Sequence, residues 1–133
     1  MINLKEKYPD ALQWGFGDLP ALTDALAALV VAGKKTASCG SLAAYQQEAH
    51  KITPGSFHII LDSQAQPVCV IQIVAMRLVR FCDVTAEMAQ KEGEGDLSLA
   101  YWRQAHQEFF QREGLFATDM ELIYEEFRLV EVL

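Results

Sequence analysis

Cysteine is scarce in this chain, and positive charge is in deficit. The 133 residues include three cysteines, Cys39, Cys69 and Cys82. The number is odd and too small for a disulfide framework, so a reducing, cytoplasmic setting is expected. Lys and Arg total 11 against 18 Asp and Glu, a formal net charge of −7. That balance excludes a protein that coats nucleic acid through a broad basic surface. It leaves room for a small basic site that receives one nucleotide. No apolar run approaches the roughly 20 residues of a membrane span, so no membrane partner is expected. The N-terminal stretch MINLKEKYPD has no apolar core of the kind a secretory signal needs. No repeat, low-complexity tract or Pro/Ser-rich linker interrupts the chain, so one domain over residues 1–133 is expected. Neither a Walker A loop nor a G-x-G-x-x-G fingerprint is present. The histidines and cysteines show no C-x-x-C or H-x-x-x-H spacing, so no metal and no other cofactor is expected.

What is present suffices for a core. The hydrophobic fraction is 51%, and a chain of this length can bury roughly 70% of its unfolded surface. DLPALTDALAALVVAGKK reads as a helix. Asp18 can cap it, Pro20 suits its first turn, and Gly33 stops it. TASC is short and extended. SLAAYQQEAH is a brief helix capped by Ser41. SFHIILD and VCVIQIVAMRLVRF are β-rich runs around the loop SQAQP, a hairpin with a central strand. Asp83 or Thr85 opens the short helix VTAEMAQKE, and GEG breaks it at Gly93–Gly95. DLSLAYWRQAHQEFFQRE is an amphipathic helix capped by Asp96 or Ser98, with Leu99, Trp102, His106, Phe109 and Phe110 along one side. MELIYEEFRLVEVL closes the chain as a strand, with a bulge where its alternation slips between Phe127 and Val130. Helices flanking mostly non-consecutive strands make an α+β fold, a small mixed β-barrel with helices outside it.

Four clusters carry candidate chemistry. In GKKTAS, Lys35 and Ser38 can form an activated pair or sit in a solvated loop. Activation requires the lysine pKa to fall by about three units, on the order of 4 kcal/mol, through burial or a nearby cation such as Lys34. Residues three apart on a straight strand point to opposite faces, so the pair meets only if the backbone turns after Gly33. In KEGEGDLS, Glu92, Glu94 and Asp96 surround two glycines. They are capping acids at a hinge, or carboxylates aimed into a cleft to orient a lysine and move a proton. His106 lies on the apolar side of its helix, as a hydrogen-bonded core histidine or as a ligand contact. Trp14, Phe16, Tyr101 and Trp102 are core aromatics or stacking platforms for a base. The glycines around Phe16 in WGFGD allow a loop that closes over a ligand.

Three segments together resemble the ASCH-domain family: FGDLPALTDALAALVVAGKKTAS, PGSFHIILDSQAQPVCVIQI and EGEGDLSLAYWRQAHQEFF. The likeness spans Trp14 to Val130 and is strongest to a branch known as a domain of unknown function. ASCH domains are similar to PUA domains, so the resemblance implies a PUA-like barrel with a cleft for RNA or a nucleotide. The family signature is a glycine, a lysine two later, a Ser/Thr three after that, and commonly an arginine two further on. Gly33, Lys35 and Ser38 fill the first three places. Gly40 stands in the arginine place, so any anion must be gripped otherwise, by Arg103, Arg77 or Arg80. One bacterial member is an amide hydrolase acting on N4-acetylated cytidine through a lysine, a threonine and a glutamate. That implies Lys35, Ser38 and, by the A-x-x-E pattern, Glu92 as catalytic residues here. Another member resembles a ribonuclease, whose serine corresponds to Ser98.

The expectation that follows is a cleft binding a nucleoside, nucleotide or short single-stranded RNA. Gly33, Lys34, Trp14, Phe16, Ser98, Arg103 and His106 would contact the ligand. As an enzyme it would be a metal-independent amide hydrolase on N4-acylated cytidine. Lys35 would deprotonate Ser38 or water, and Glu92 would orient Lys35. The alternatives are a ribonuclease and a non-catalytic binding module. A reduced monomer or weak homodimer is expected.

Overall fold

A computed structural model describes residues 3–133. Its elements run α1 (Leu4–Lys7), β1 (Leu12–Trp14), α2 (Pro20–Val31), β2 (Ala37–Ser41), α3 (Leu42–Gln47), β3 (Phe57–Leu61), β4 (Pro67–Arg80), α4 (Ala86–Glu92), α5 (Leu99–Arg112) and β5 (Glu121–Val132). The strands form one sheet in the order β1-β3-β4-β5-β2. β1 runs parallel to β3, and every other pairing is antiparallel. β4 is central, as its length and continuous apolar run predict. The sheet is curled into a half-barrel with helices against it, the expected α+β, PUA-like architecture. Its two edges, β1 and β2, do not pair with each other.

Two bulges in the β4–β5 pairing curl the central strands. Val70 and Ile71 of β4 face Glu131 and Leu129, so β5 carries one extra residue at Val130. Ile73 and Ala75 face Phe127 and Glu126, so β4 carries one extra at Val74. The first is where the alternation of β5 slips in the sequence. Each extra residue bends its strand and increases the local twist.

Two apolar clusters lie on the sheet. One gathers Leu26, Ala27 and Val30 of α2 with Ile60, Ile71, Ile73 and Phe127. The other gathers Met88 and Ala89 of α4, Trp102 and Phe110 of α5, and Ala37, Leu122 and Tyr124. Among the described residues no helix is long and apolar enough to cross a membrane.

Most helix ends follow their local chemistry. The side chains of Ser41, Thr85 and Ser98 accept from Ala44 N, Met88 N and Tyr101 N, capping α3, α4 and α5. Asp18 does not cap α2. Leu19 occupies that position without a side-chain bond. Asp18 instead takes the Arg112 guanidinium, at 2.8 and 3.0 Å. A bidentate arginine outcompetes one backbone N–H for the same carboxylate. α1 and β1 went unread in the sequence because each is too short to show a period.

Candidate active site

The site begins where α2 ends. Gly33 takes φ +76°, which glycine adopts without strain. The chain turns back there, and the N–H groups of Lys34 and Lys35 both return to the Leu29 carbonyl at 3.0 and 3.1 Å. β2 then docks on the end of α4, where Thr36 N donates to Lys91 O at 2.8 Å. Gly93, at φ +73°, makes this contact possible. A Cβ on it would lie 2.2 Å from the Lys34 carbonyl oxygen. Two glycine turns, distant in sequence, are thereby pressed backbone to backbone. The GEG bend must deliver its acids to the lysine turn.

Lys35 is consequently buried, its side chain 1% exposed. Its ammonium lies 3.0 Å from Glu94 Oε2, 3.5 Å from Glu92 Oε1 and 3.4 Å from the Glu92 carbonyl oxygen. The Phe16 ring sits beneath it, 5.5 Å from Nζ. Burial opposes the charge, but Glu92 and Glu94 outweigh it and hold the lysine pKa above its ordinary value. The resting group is an ammonium. A general-base lysine needs the opposite shift, so the expected deprotonation of Ser38 by Lys35 does not match this electrostatic setting.

Glu92 is equally buried and bound on both oxygens. Oε2 accepts from Trp102 Nε1 at 2.6 Å, and His106 Nε2 lies 3.3 Å from Oε1. Trp102 and His106 are one helical turn apart on α5, with rings stacked at 4.1 Å. His106 Nδ1 must carry a proton, because it lies 2.9 Å from the Trp102 carbonyl, which can only accept. Burial disfavours the imidazolium, yet Glu92 and the Trp102 carbonyl raise its pKa above the usual histidine value. Burial likewise disfavours the Glu92 anion, and Lys35, His106 and Trp102 together lower its pKa. Lys35, Glu92 and His106 form one coupled charged network.

Cys39 Sγ, the Glu92 carboxylate and a His106 ring nitrogen lie within 4.8 Å of one another. These residue types can hold a metal ion. They come from three elements, so no sequence spacing announces them. The Lys35 ammonium, 3.5 Å from the same carboxylate, already supplies positive charge there. Burial and the Glu92 charge push the Cys39 thiol well up, which keeps it protonated.

A small cavity of about 100 Å³ opens onto this network. Phe16, Lys35, Ser38, Glu92, Glu94 and His106 all line it. It continues into a larger groove of about 580 Å³, and the two share Phe16, Gly17, Ser38, Cys39 and Phe109. Trp14 lines the groove, where its indole N–H donates to His58 Nδ1 at 3.0 Å. Because β2 is an edge strand, the cavity wraps it and meets residues from both of its faces.

The other expected contacts fall elsewhere. Among the described residues Lys35 donates to Glu92 and Glu94 and not to Ser38. Ser38 faces Glu125 across the β2–β5 pair. The Ser98 hydroxyl is engaged as the cap of α5, and neither it nor Arg103 lines the cavity. Gly33 and Lys34 shape the turn without lining it. Tyr101 lines the cavity, whereas Trp102 is buried behind Glu92. Arg77 lies over the Tyr124 ring, and neither it nor Arg80 reaches the site. Arg112 is the guanidinium at the cavity, and Asp18 already holds it. Glu125 was missed because Ile123 and Phe127 on its side of β5 and Leu122 and Tyr124 on the other are all apolar, so alternation alone assigns it no face.

Three comparisons bear on this site. An ASCH domain from Lactobacillus crispatus JV V101 is 32% identical, with TM-score 0.83, covering 95% of this chain and 83% of that one. Protein EF3133 from Enterococcus faecalis V583, described under DUF984, is 33% identical, with TM-score 0.85 over 98% and 85%. A serine-to-alanine mutant of ZmASCH from Zymomonas mobilis shares the fold at 12% identity and TM-score 0.52, over 92% and 71%. No curated protein matches the sequence. The family model described as ASCH domain matches residues 12–131. This chain therefore belongs to the ASCH-domain family.

Proposed function

We propose that the cavity binds a nucleoside and hydrolyses an exocyclic amide on it, with N4-acylated cytidine as the substrate class. The observation that carries this reading is a buried ammonium held between two carboxylates at the floor of an aromatic-walled cavity. Amide hydrolysis needs stabilisation of an oxyanion, a base for water and an acid for the leaving nitrogen. Lys35 polarises the acyl carbonyl as an ammonium. Glu94 is the less buried of its two carboxylates, its side chain 14% exposed, and takes the proton from the attacking water. The water oxygen bonds to the acyl carbon, Glu94 passes the proton it took to N4, and the C–N4 bond breaks. The products are cytidine and the free carboxylic acid. Glu92, fixed by Trp102 and His106, positions Lys35. The Ser38 hydroxyl contacts the substrate rather than attacking it.

The lining favours a neutral nucleoside over RNA. Glu48, Glu92, Glu94 and Glu113 line the two connected spaces, and the Arg112 guanidinium there is already paired. A chain of phosphates would meet net repulsion. The test is incubation with N4-acetylcytidine, with and without chelator, followed by chromatography of cytidine. Release that survives the chelator and is lost in Lys35→Met supports the reading. No release, or full release by Lys35→Met, overturns it.

A further inference from the structure

Glu125 is the buried carboxyl that the charged network does not use. It is 9% exposed. No hydrogen bond or ion pair engages its side chain among the described residues. Its neighbour Glu126 takes the opposite face, with Leu122 and Tyr124 of the second cluster, and binds Lys91 at 2.7 Å. Alternation then puts Glu125 on the face that Phe127 shares with the first apolar cluster. Its cross-strand neighbours are Ser38 on β2 and Met76 on β4. The space it faces is the groove of about 580 Å³, walled by Trp14, Phe16, Tyr45 and Phe109. None of the Glu125 oxygens is sealed from solvent without a partner, so the carboxyl end opens into the groove while the rest of the side chain is covered. Placed between flat aromatic walls, it has the form of a recognition group awaiting a ligand.

We propose that Glu125, with Ser38 beside it, reads the hydrogen-bonding edge of a heteroaromatic ring held in this groove. The ring is of the cytosine type, with an acceptor nitrogen next to an N–H donor. The acid donates its proton to the ring nitrogen and accepts from the adjacent N–H. Flat walls of aromatic side chains suit a planar ring. The groove is continuous with the Lys35 cavity, so a base seated here directs its exocyclic group at the ammonium. This inference rests on the nucleoside reading above and specifies how the base is recognised.

The protonation state agrees with that pairing. Burial first, and the Glu92 charge second, raise the Glu125 pKa from 4.5 to about 7, with Lys35 acting against them. The other ionisable groups facing it are few. They are Cys39 on β2, Tyr45 on α3, Glu48 and His50 after it, and Glu113 at the end of α5. β1 and the facing part of β4 contribute none. A neutral acid offers one donor and one acceptor. A carboxylate offers acceptors only and would suit guanine, whose edge presents two N–H donors.

The experiment is calorimetric titration of the wild-type protein with cytidine, which needs no turnover. The cytosine ring is neutral between pH 6.0 and 8.5. If only the protonated acid binds, apparent affinity falls about 30-fold over that range, given a pKa of about 7. Glu125→Gln keeps one donor and one acceptor at every pH. It is expected to bind cytidine with no such pH slope, while Glu125→Leu binds at least tenfold more weakly. Affinity that is flat or rises with pH in the wild type overturns the proposal. So does guanosine binding that exceeds cytidine binding and strengthens with pH. Loss of the slope in Glu113→Gln or His50→Gln, with the slope intact in Glu125→Gln, overturns it as well. Cytidine binding with the predicted slope but no hydrolysis of N4-acetylcytidine removes the catalytic reading and leaves this one. Hydrolysis with KM unchanged in Glu125→Leu does the reverse.

Discussion

Replacing Glu92 with leucine removes the acceptor shared by three buried donors. Lys35 Nζ loses a carboxylate at 3.5 Å, His106 Nε2 one at 3.3 Å, and Trp102 Nε1 one at 2.6 Å. Lys35 keeps Glu94 at 3.0 Å, but the indole N–H has no substitute. Breaking a buried ion pair from one side costs about 3–5 kcal/mol, because the remaining charge stays desolvated. A domain of this size has roughly 5–15 kcal/mol of stability, so Glu92→Leu should still fold. Its melting temperature should fall by on the order of 10–20 °C at pH 7. The companion variant removes the lysine too. Lys35→Met/Glu92→Leu replaces the pair by apolar side chains, a change that is often close to neutral. Urea unfolding of the wild type, both single variants and the double gives the coupling energy of the pair. The double variant should be more stable than the sum of the singles implies, by at least about 1 kcal/mol. Glu92→Leu within about 1 kcal/mol of wild type, or strict additivity, would show that these charges are not coupled as described.

Four shorter predictions follow from the same geometry. Gly93→Ala should be strongly destabilising, since its Cβ would meet the Lys34 carbonyl at 2.2 Å in a backbone of φ +73°; a thermal melt unchanged from wild type would refute the close approach. Glu125→Gln should be more stable than wild type at pH 8 by roughly 3 kcal/mol, from the rise of the Glu125 pKa from 4.5 to about 7. For an acid raised by folding, the penalty is absent below 4.5, grows between 4.5 and about 7, and is full above, so the two proteins should converge at pH 4 in urea titrations. The His106 ring should titrate above 6.5 by NMR in the wild type and move down in Glu92→Gln, because the carboxylate sustains its charge. That charge stabilises the fold fully below 6.5, and the contribution is lost as pH rises through the higher folded value. A thiol reagent should modify Cys82 quickly, since it is exposed. Cys69, buried with its pKa near 11, should react only on unfolding.

Much of the architecture was legible along the chain. The amphipathic period of α5, the apolar continuity of β4 and the turn glycines are local signals, each set by side chains close in sequence. The bulge of β5 was legible for the same reason. Two local readings failed through long-range competition. Asp18 left the cap of α2 for Arg112, which lies 94 positions away. Lys35 and Ser38 are neighbours in the motif, but the lysine's carboxylates come from either side of Gly93 and the serine's cross-strand neighbour is Glu125.

The amino-acid order by itself determined which segments turn, extend or coil, and that a lysine turn and an acidic bend would both exist. Only the tertiary structure decided that they meet. Burial and Coulomb attraction depend on distance through space, and a backbone contact at Gly93 sets that distance. Hence the charge state of Lys35 and the inward placement of Glu125 belong to the assembled fold, while the helices and strands that carry them belong to the chain.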